Sequence, residues 1–499
     1  MHHSRPHPRA PFEPRGLRTV TGLDLSILVA YVGGILLLGW AVSRHIGSFR
    51  DWFVAGGQMT TPLLVCTLVS TYYGLDVLFG GSEIGYTEGV VGWFYYLRPY
   101  YVVILIAALV VAPRLKRLDL LSLPDVAAAT YGRGAQVTVA AASFLYALPL
   151  MAIMGIGVLL DVLLGLPFFW GVVLGAAVAI AYTLMGGLIA GALTDTVQFT
   201  LMCVTLGIAA LLALNAQGGV EGLERALPAS YFDPVGTYPG WVLLVFALSA
   251  LSVLVEPAFY QRIFAATSYR AVLTALLIGI VLWAAFDWIV TILGMAAAAA
   301  GIETDPRYAL LTVVVDVLPA GLTGLFVAGV VATAMSTIDA YLLIAGGNLA
   351  YDMYRPLSRH PMTDDRQLRL ARWGVVVAGI VSVLLALFFQ SMVTAWIFMS
   401  SMLIAAALVP IMVALHAKRR LTPEAGLWSS LGGLVVAGGF WAAVNLFGEW
   451  DPDWGTVIWS VVVAGTEIEI WQEYAVLAAL PVSAAAFVAG QALGGGDRP

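Results

Sequence analysis

Thirteen times along the chain an apolar run of membrane-spanning length returns, with few charges inside it. The approximate limits are 22–44, 59–82, 91–112, 134–162, 167–185, 192–214, 240–263, 270–300, 319–350, 370–390, 393–415, 425–447 and 473–493. About twenty apolar residues carry a helix through the bilayer hydrocarbon. Lipid offers the backbone no hydrogen bonds, so each such run must close its own ladder as a helix. The charged fraction is 11% and mean hydropathy +0.91, against roughly 25% charged residues in soluble domains. An all-α polytopic protein of about thirteen transmembrane helices is expected, with the lipid bilayer as its main partner.

Several function classes drop out. Cys66 and Cys203 both lie in apolar runs, so no disulfide framework is implied. The six histidines sit in the first residues or near helix ends, which argues against a histidine proton relay inside the membrane. There is no Walker loop, HExxH or nucleotide fingerprint. The expectation is a protein that is not an enzyme, not an ATP-driven pump and not a nucleic-acid binder, with no obligate protein partner evident. No cleavage motif follows the first run, so no signal peptide is expected. Residues 1–20, with Arg5, Arg9, Arg15 and Arg18, read as an unstructured tail.

Alternate connections are basic. With the tail placed outside, the inner connections hold sixteen of the 24 Lys and Arg, including Arg44, Arg50, Lys116, Arg262, Arg355, Lys418 and Arg419. The outer ones hold only Arg225 and Arg307 and are acidic at Glu449, Asp451, Asp453, Glu467 and Glu469. The positive-inside rule then puts the C-terminus in the cytoplasm, with the tail arginines running against the rule. The bias of 22 Arg to two Lys suggests a high-GC bacterium, hence a multi-pass protein of a bacterial inner membrane.

Two runs are interrupted. The second holds Thr60-Thr-Pro62, Ser70-Thr-Tyr-Tyr-Gly74, Asp76 and Gly80-Gly81, and the seventh holds Ser249, Ser252, Glu256 and Pro257. Such residues break a membrane helix only where protein or a cavity satisfies the freed backbone. A spacing of five spans gives the two halves opposite orientation, the mark of an inverted repeat with its solute site at the midplane. Residues 59–214 and 240–415 would form the repeats. An extra helix (21–45) precedes them and two (425–493) follow. The plain alternative is that glycine and proline are simply common in membrane helices.

Within Val331–Arg355, VATAMSTIDAYLLIAGGNLAYDMYR, adjacent hydroxyls lie in buried apolar helix. They offer hard oxygen ligands of the kind a small cation needs. Thr333, Ser336 and Thr337 share one face at i, i+3 and i+4. The alternative is that the hydroxyls bond back to carbonyls one turn earlier.

This stretch resembles the signature helix of the sodium/solute symporter family, M-S-T-x-D-S-x-L followed by D-(I/L)-Y. Gly186-Gly-Leu188 through Gln198 resembles the family's G-G-x-x-A-x-x-x-T-D-x-x-Q segment, Gln261-Arg-Ile-Phe-Ala-Ala266 its Q-R-x-x-A-A segment, and Gly80-Gly-Ser-Glu-Ile-Gly-Tyr86 with Gly89 the glycine-rich end of its first broken helix. The resemblance implies a LeuT-like core with a five-plus-five inverted repeat. It further implies Na+-coupled uptake of a small organic solute by alternating access. It puts sodium at carbonyls of Ser70, Tyr73 and Thr333 and hydroxyls of Ser336 and Thr337. Asp195 and Asp339 would hold a second sodium or line its exit path. Ala340 stands where two-sodium relatives often have serine, which weakens the second-ion case. Thr194-Asp195 also reads as an ordinary N-cap.

Carboxylates at membrane depth cost about 2.5–3.5 kcal/mol each, so Asp76, Glu256 and Asp287 need explaining. Tyr72, Gly74, Asp76, Tyr96, Glu256 and Tyr260 are the expected solute-binding residues. Paired rings and carboxylates tilt that reading towards an amine-bearing solute. The structural alternative has Asp76 or Glu256 pairing with Arg98 or capping a half-helix. Asp287 has no evident role. Proton coupling, a nutrient sensor without a fused output domain, and a passive channel remain as alternatives.

Overall fold

The computed structural model describes residues 21–43, 48–389, 391–418, 420–451, 454–463 and 466–494. The tail 1–20, with Arg44, Arg419 and Asp453 of the charge pattern, lies outside the described residues. Helix α1 spans Gly22–Ser43 and the short α2 spans Phe49–Val54. The second run is two helices, α3 (Thr61–Tyr72) and α4 (Leu75–Glu88), bent by 49°. Then come α5 (Gly92–Leu115), α6 (Leu123–Tyr131), α7 (Arg133–Tyr146), α8 (Leu150–Leu164) and the long α9 (Phe168–Ala216). Past the surface helix α10 (Gly219–Ala226), the seventh run is also split, into α11 (Gly240–Ser249) and α12 (Pro257–Ala265). The remainder is α13 (Tyr269–Ala299), α14 (Ala309–Val317), α15 (Leu322–Leu357), α16 (Asp364–Ala386), α17 (Met392–His416), α18 (Pro423–Phe447) and α19 (Ala475–Gly494).

Ten helices among the described residues are long and apolar enough to cross a membrane, and the bent α3–α4 pair makes an eleventh. The expected total of thirteen is reached only by adding two shorter apolar helices, Gly22–Leu38 and Phe168–Leu184. Exposed Trp40, Trp170, Leu211, Val281, Trp373 and Leu384 belong to the lipid-facing surface.

Both expected interruptions are present. Pro62 sits in the first turn of α3, where its missing N–H costs nothing, and Gly74 opens α4 in extended backbone. In the seventh run a 3-10 segment (Ala250–Val255) leads to extended Glu256, and Pro257 starts α12. A third interruption was not anticipated. The fourth run parts at Ala147–Pro149, because Pro149 cannot donate to the ladder.

Close approach replaces bulk at two crossings. A Cβ on Gly85 would lie 2.7 Å from the Thr291 carbonyl, and one on Gly294 2.3 Å from the Ser82 carbonyl, so α4 and α13 meet backbone to backbone. The other is Gly187, which divides α9 with φ 57° and ψ −172°, a conformation essentially restricted to glycine. Its Cβ would stand 2.7 Å from Trp52 Cδ1.

The acidic connection after α18 is folded. β1 (Glu449–Asp451), β2 (Thr456–Val463) and β3 (Thr466–Trp471) form an antiparallel sheet. Ile458 pairs with Glu449 on one side and Trp471 on the other.

Candidate functional site: an oxygen cluster, an aromatic cavity and a buried arginine

The first break determines what faces the signature helix. The last ladder bond of α3 runs from Tyr73 N–H to the Val69 carbonyl at 3.0 Å. The carbonyls of Ser70 and Thr71 therefore lie beyond the ladder. Both accept hydroxyls of α15: Ser336 Oγ donates to Ser70 O at 2.9 Å, and Thr337 Oγ1 to Thr71 O at 3.1 Å. The same hydroxyls also reach the Thr333 carbonyl, at 3.0 and 3.2 Å. The back-bonding alternative and the cross-helix arrangement thus occur together. Five oxygens converge here, from Ser70, Thr71, Thr333, Ser336 and Thr337, all at buried residues. Such an all-oxygen set suits a hard cation. The carbonyl of Thr71, not singled out from sequence, joins this cluster. Tyr73 is the break residue itself, and its ring packs on Phe286 at 4.8 Å.

Beside the break lies a cavity of about 40 Å³ whose walls include Tyr72, Tyr96, Tyr100, Trp283, Asp287 and Trp396. Trp396 Nε1 donates to the Tyr100 hydroxyl at 2.6 Å, fixing both rings. Asp287, which had no role from sequence, accepts a hydrogen bond from Tyr101 and is the one carboxylate among the lining residues. No Lys or Arg is among them.

Of the residues expected to bind solute, Tyr72 and Tyr96 line the cavity, whereas Gly74, Glu256 and Tyr260 do not. Gly74 caps α4, and Tyr260 spends its hydroxyl on the Leu254 carbonyl at 2.9 Å. Asp76 lies in α4, its side chain outside what is described. Glu256 is fully buried and caps α12, accepting from Ala258 N–H at 3.1 Å; Tyr341 donates to the same oxygen at 3.1 Å. Its other oxygen has no partner. Tyr72 and Tyr146 share its surroundings, so a buried polar cluster adjoins the cavity behind Tyr72. Arg98 is exposed and stacks over Phe94 at 4.8 Å, which removes it as a partner for Glu256.

Asp195 and Asp339 line a second small cavity together with Arg262. Asp195 stands two turns beyond Gly187 inside α9, so it is no N-cap. One of its oxygens has no partner, nor do either of the amide atoms of Gln198 one turn on. Arg262, counted from sequence as a connection charge, is 1% exposed. It donates to Thr71 Oγ1 at 2.6 Å and Thr67 Oγ1 at 3.2 Å, tying the second broken span to the first. Neighbouring Gln261 donates to the Phe53 carbonyl at 2.8 Å, which explains the paired Gln-Arg of the motif.

Two broken helices beside an aromatic cavity, with an oxygen cluster between α3 and α15, are the features of a transporter of the LeuT fold. The sodium:solute symporter family model matches residues 52–433. The chain belongs to that family, and its activity is sodium-coupled solute symport. An uncharacterized symporter of Bacillus subtilis (strain 168) is 24% identical, over 86% of this chain and 88% of its own. The sodium/pantothenate symporter of Haemophilus influenzae is 26% identical, over 85% of this chain and 86% of its own. Among solved structures, the substrate-bound outward-open Na+-coupled sialic acid symporter superposes with a TM-score of 0.75 at 18% identity, covering 96% of this chain and 99% of that one.

Proposed function

We propose that the protein imports a small amine-bearing solute, with one sodium ion held among Ser70, Thr71, Thr333, Ser336 and Thr337. The pairing of α15 hydroxyls with carbonyls 266 residues away carries this reading. An ion between these oxygens replaces their mutual hydrogen bonds and so fixes the separation of α3 from α15. Tyr72 follows directly on the site, which links ion occupancy to the wall of the solute cavity. Alternating access then swings one helix bundle against the other.

The amine class rests on charge. The cavity presents Asp287 and aromatic faces but no basic side chain, and Glu256 keeps one oxygen unpartnered behind Tyr72. Rings and carboxylates together favour a cationic head group, whereas a carboxylate solute would find no counter-charge there.

Asp195 and Asp339 supply a second sodium position or an exit path, with Arg262 setting the local charge. The tail lies outside and the C-terminus in the cytoplasm of a bacterial cell. One sodium crossing 100 mV releases ~2.3 kcal/mol. A tenfold gradient adds ~1.4 kcal/mol, so one ion supports roughly 500-fold accumulation of a neutral solute.

The test is thermal stability of the purified protein against a panel of small solutes, in sodium or potassium alone. An amine whose stabilisation requires sodium, and is lost in Tyr72→Ala, supports the reading. A carboxylate solute that stabilises better than any amine would overturn the proposed class.

A further inference from the structure

The apolar stripe that α16 shows to lipid runs into arginines at one end. Trp373, Val377, Ile380 and Leu384 are exposed along one face of the helix. Arg369 and Arg366, four and seven residues before Trp373, continue that face and are also exposed. Tryptophan rings settle at headgroup level, and a helix rises about 1.5 Å per residue. Arg369 therefore stands ~6 Å and Arg366 ~10 Å beyond the ring, at the depth of lipid phosphates. Arg372, one turn on from Arg369, is half-buried, and its Nε is buried without a hydrogen-bond partner.

These charges are not spent inside the protein. Among the described residues, ion pairs join Arg50 to Asp119 and Arg307 to Asp305, and no carboxylate pairs with Arg366, Arg369 or Arg372. Arg366 donates to the Tyr354 hydroxyl at 3.1 Å. Asp364 and Asp365 lie in the first turn of α16, where they complement the positive end of the helix. From Arg355 to Arg372 the chain carries five arginines against these two aspartates. A guanidinium fork matches phosphate oxygens. Choline and ethanolamine headgroups carry their own cation beside the phosphate, whereas a glycerol headgroup leaves its charge for the protein to neutralise.

The same end of α16 meets the signature helix backbone to backbone. A Cβ on Gly346 would lie 2.5 Å from the Ala371 carbonyl, and one on Gly374 2.9 Å from Gly346 Cα. Ala371 and Gly374 flank Arg372 and Trp373, so whatever fixes this end of α16 also fixes α15, ten residues from Ser336.

We propose that this end of α16 is a binding site for an anionic phospholipid, with its phosphate between Arg369 and Arg372 and its chains along Trp373, Val377 and Ile380. The site is independent of the amine reading. Its occupancy holds α16 against α15 and so stabilises the folded carrier.

Thermal melting of the full-length protein in neutral detergent, with phosphatidylglycerol or phosphatidylcholine added, tests this. Phosphatidylglycerol should raise the melting temperature saturably, by several degrees, and phosphatidylcholine should not. In Arg369→Gln with Arg372→Gln the half-saturating amount should rise about tenfold or more, with melting in phosphatidylcholine unchanged. Arg369→Gln alone, at an exposed side chain, serves if the double variant does not fold, with a rise of about fivefold. Lys418→Gln with Arg420→Gln, which removes two exposed charges elsewhere on the chain, should leave the shift intact. No shift with phosphatidylglycerol, or one that phosphatidylcholine matches, would overturn the site. So would a shift that free glycerol phosphate reproduces or that survives loss of both arginines. A shift weakened as much by the Lys418 and Arg420 pair would reduce it to diffuse surface charge and overturn it too.

Discussion

Ser336 Oγ donates to the main-chain carbonyl of Ser70 at 2.9 Å, joining the middle of the signature helix to the end of the first half of a broken one. A polar contact at that depth is maintained because each group would otherwise lie unsatisfied among apolar residues.

Replacing Ser336 and Thr337 together by alanine removes both side-chain oxygens from the ion cluster and leaves its carbonyls. The sodium concentration for half-maximal uptake should rise about tenfold or more, since each hydrogen-bond-class contact contributes ~1 kcal/mol. Stabilisation by sodium in a melting experiment should vanish with it. A double variant that keeps its sodium dependence would remove the cluster from the mechanism.

Arg262 is the buried counter-charge beside Asp195 and Asp339. Removing one partner of a buried charged group costs about 3–5 kcal/mol. Arg262→Met should therefore melt well below the parent. Adding Asp195→Asn should recover part of the loss, because one uncompensated carboxylate is then neutral. Equal melting of the single and double variants would show that the two residues are not coupled.

Gly187→Ala should fail to accumulate as folded protein. Alanine in that backbone conformation costs about 1–3 kcal/mol before any contact is considered. The added carbon would also press on Trp52 at 2.7 Å, with the Trp52 carbonyl at 2.8 Å. Gly439, where an added carbon meets nothing within 4 Å, is the control. Size-exclusion profiles of the two variants make the comparison.

Glu256→Gln keeps an oxygen to cap α12 but loses the charge. Stability should change little, while uptake of a cationic solute falls about tenfold, as expected for loss of a buried charge behind the cavity wall. Glu256→Ala should add a stability loss of about 0.5–2 kcal/mol for the missing cap. Unaltered uptake by the glutamine variant would confine Glu256 to capping.

Much of this was legible in the chain. Proline, glycine and hydroxyl residues at 60–76 and 249–257 announce breaks because they recur in two runs five spans apart, which their general frequency in membrane helices explains less well. Thr333, Ser336 and Thr337 announce a shared face by spacing alone. Thr71 was missed because its contribution is a carbonyl, exposed by the backbone turn at Tyr73 rather than by side-chain chemistry. Asp287 was opaque because its donor, Tyr101, lies 186 residues earlier. Arg262 was miscounted because a charge at a run's end looks the same whether it faces water or a buried cavity. The sheet left a short signal: Glu467-Ile-Glu-Ile470 alternates, which suits a strand.

From Ala332 to Asn348 every residue of the signature helix is buried, so this stretch has no face that meets lipid. During synthesis it must nonetheless leave the insertion machinery carrying Thr333, Ser336, Thr337 and Asp339. It cannot rest in bare hydrocarbon until its neighbours surround it. The earlier helices with which it packs, among them α1, α3, α8 and α9, are made first and can wait for it; α16, which closes over it, follows within a few residues of loop. Assembly of the ion cluster is thereby a late event in biogenesis, and a chain stalled before α16 would expose the very hydroxyls that serve the finished carrier.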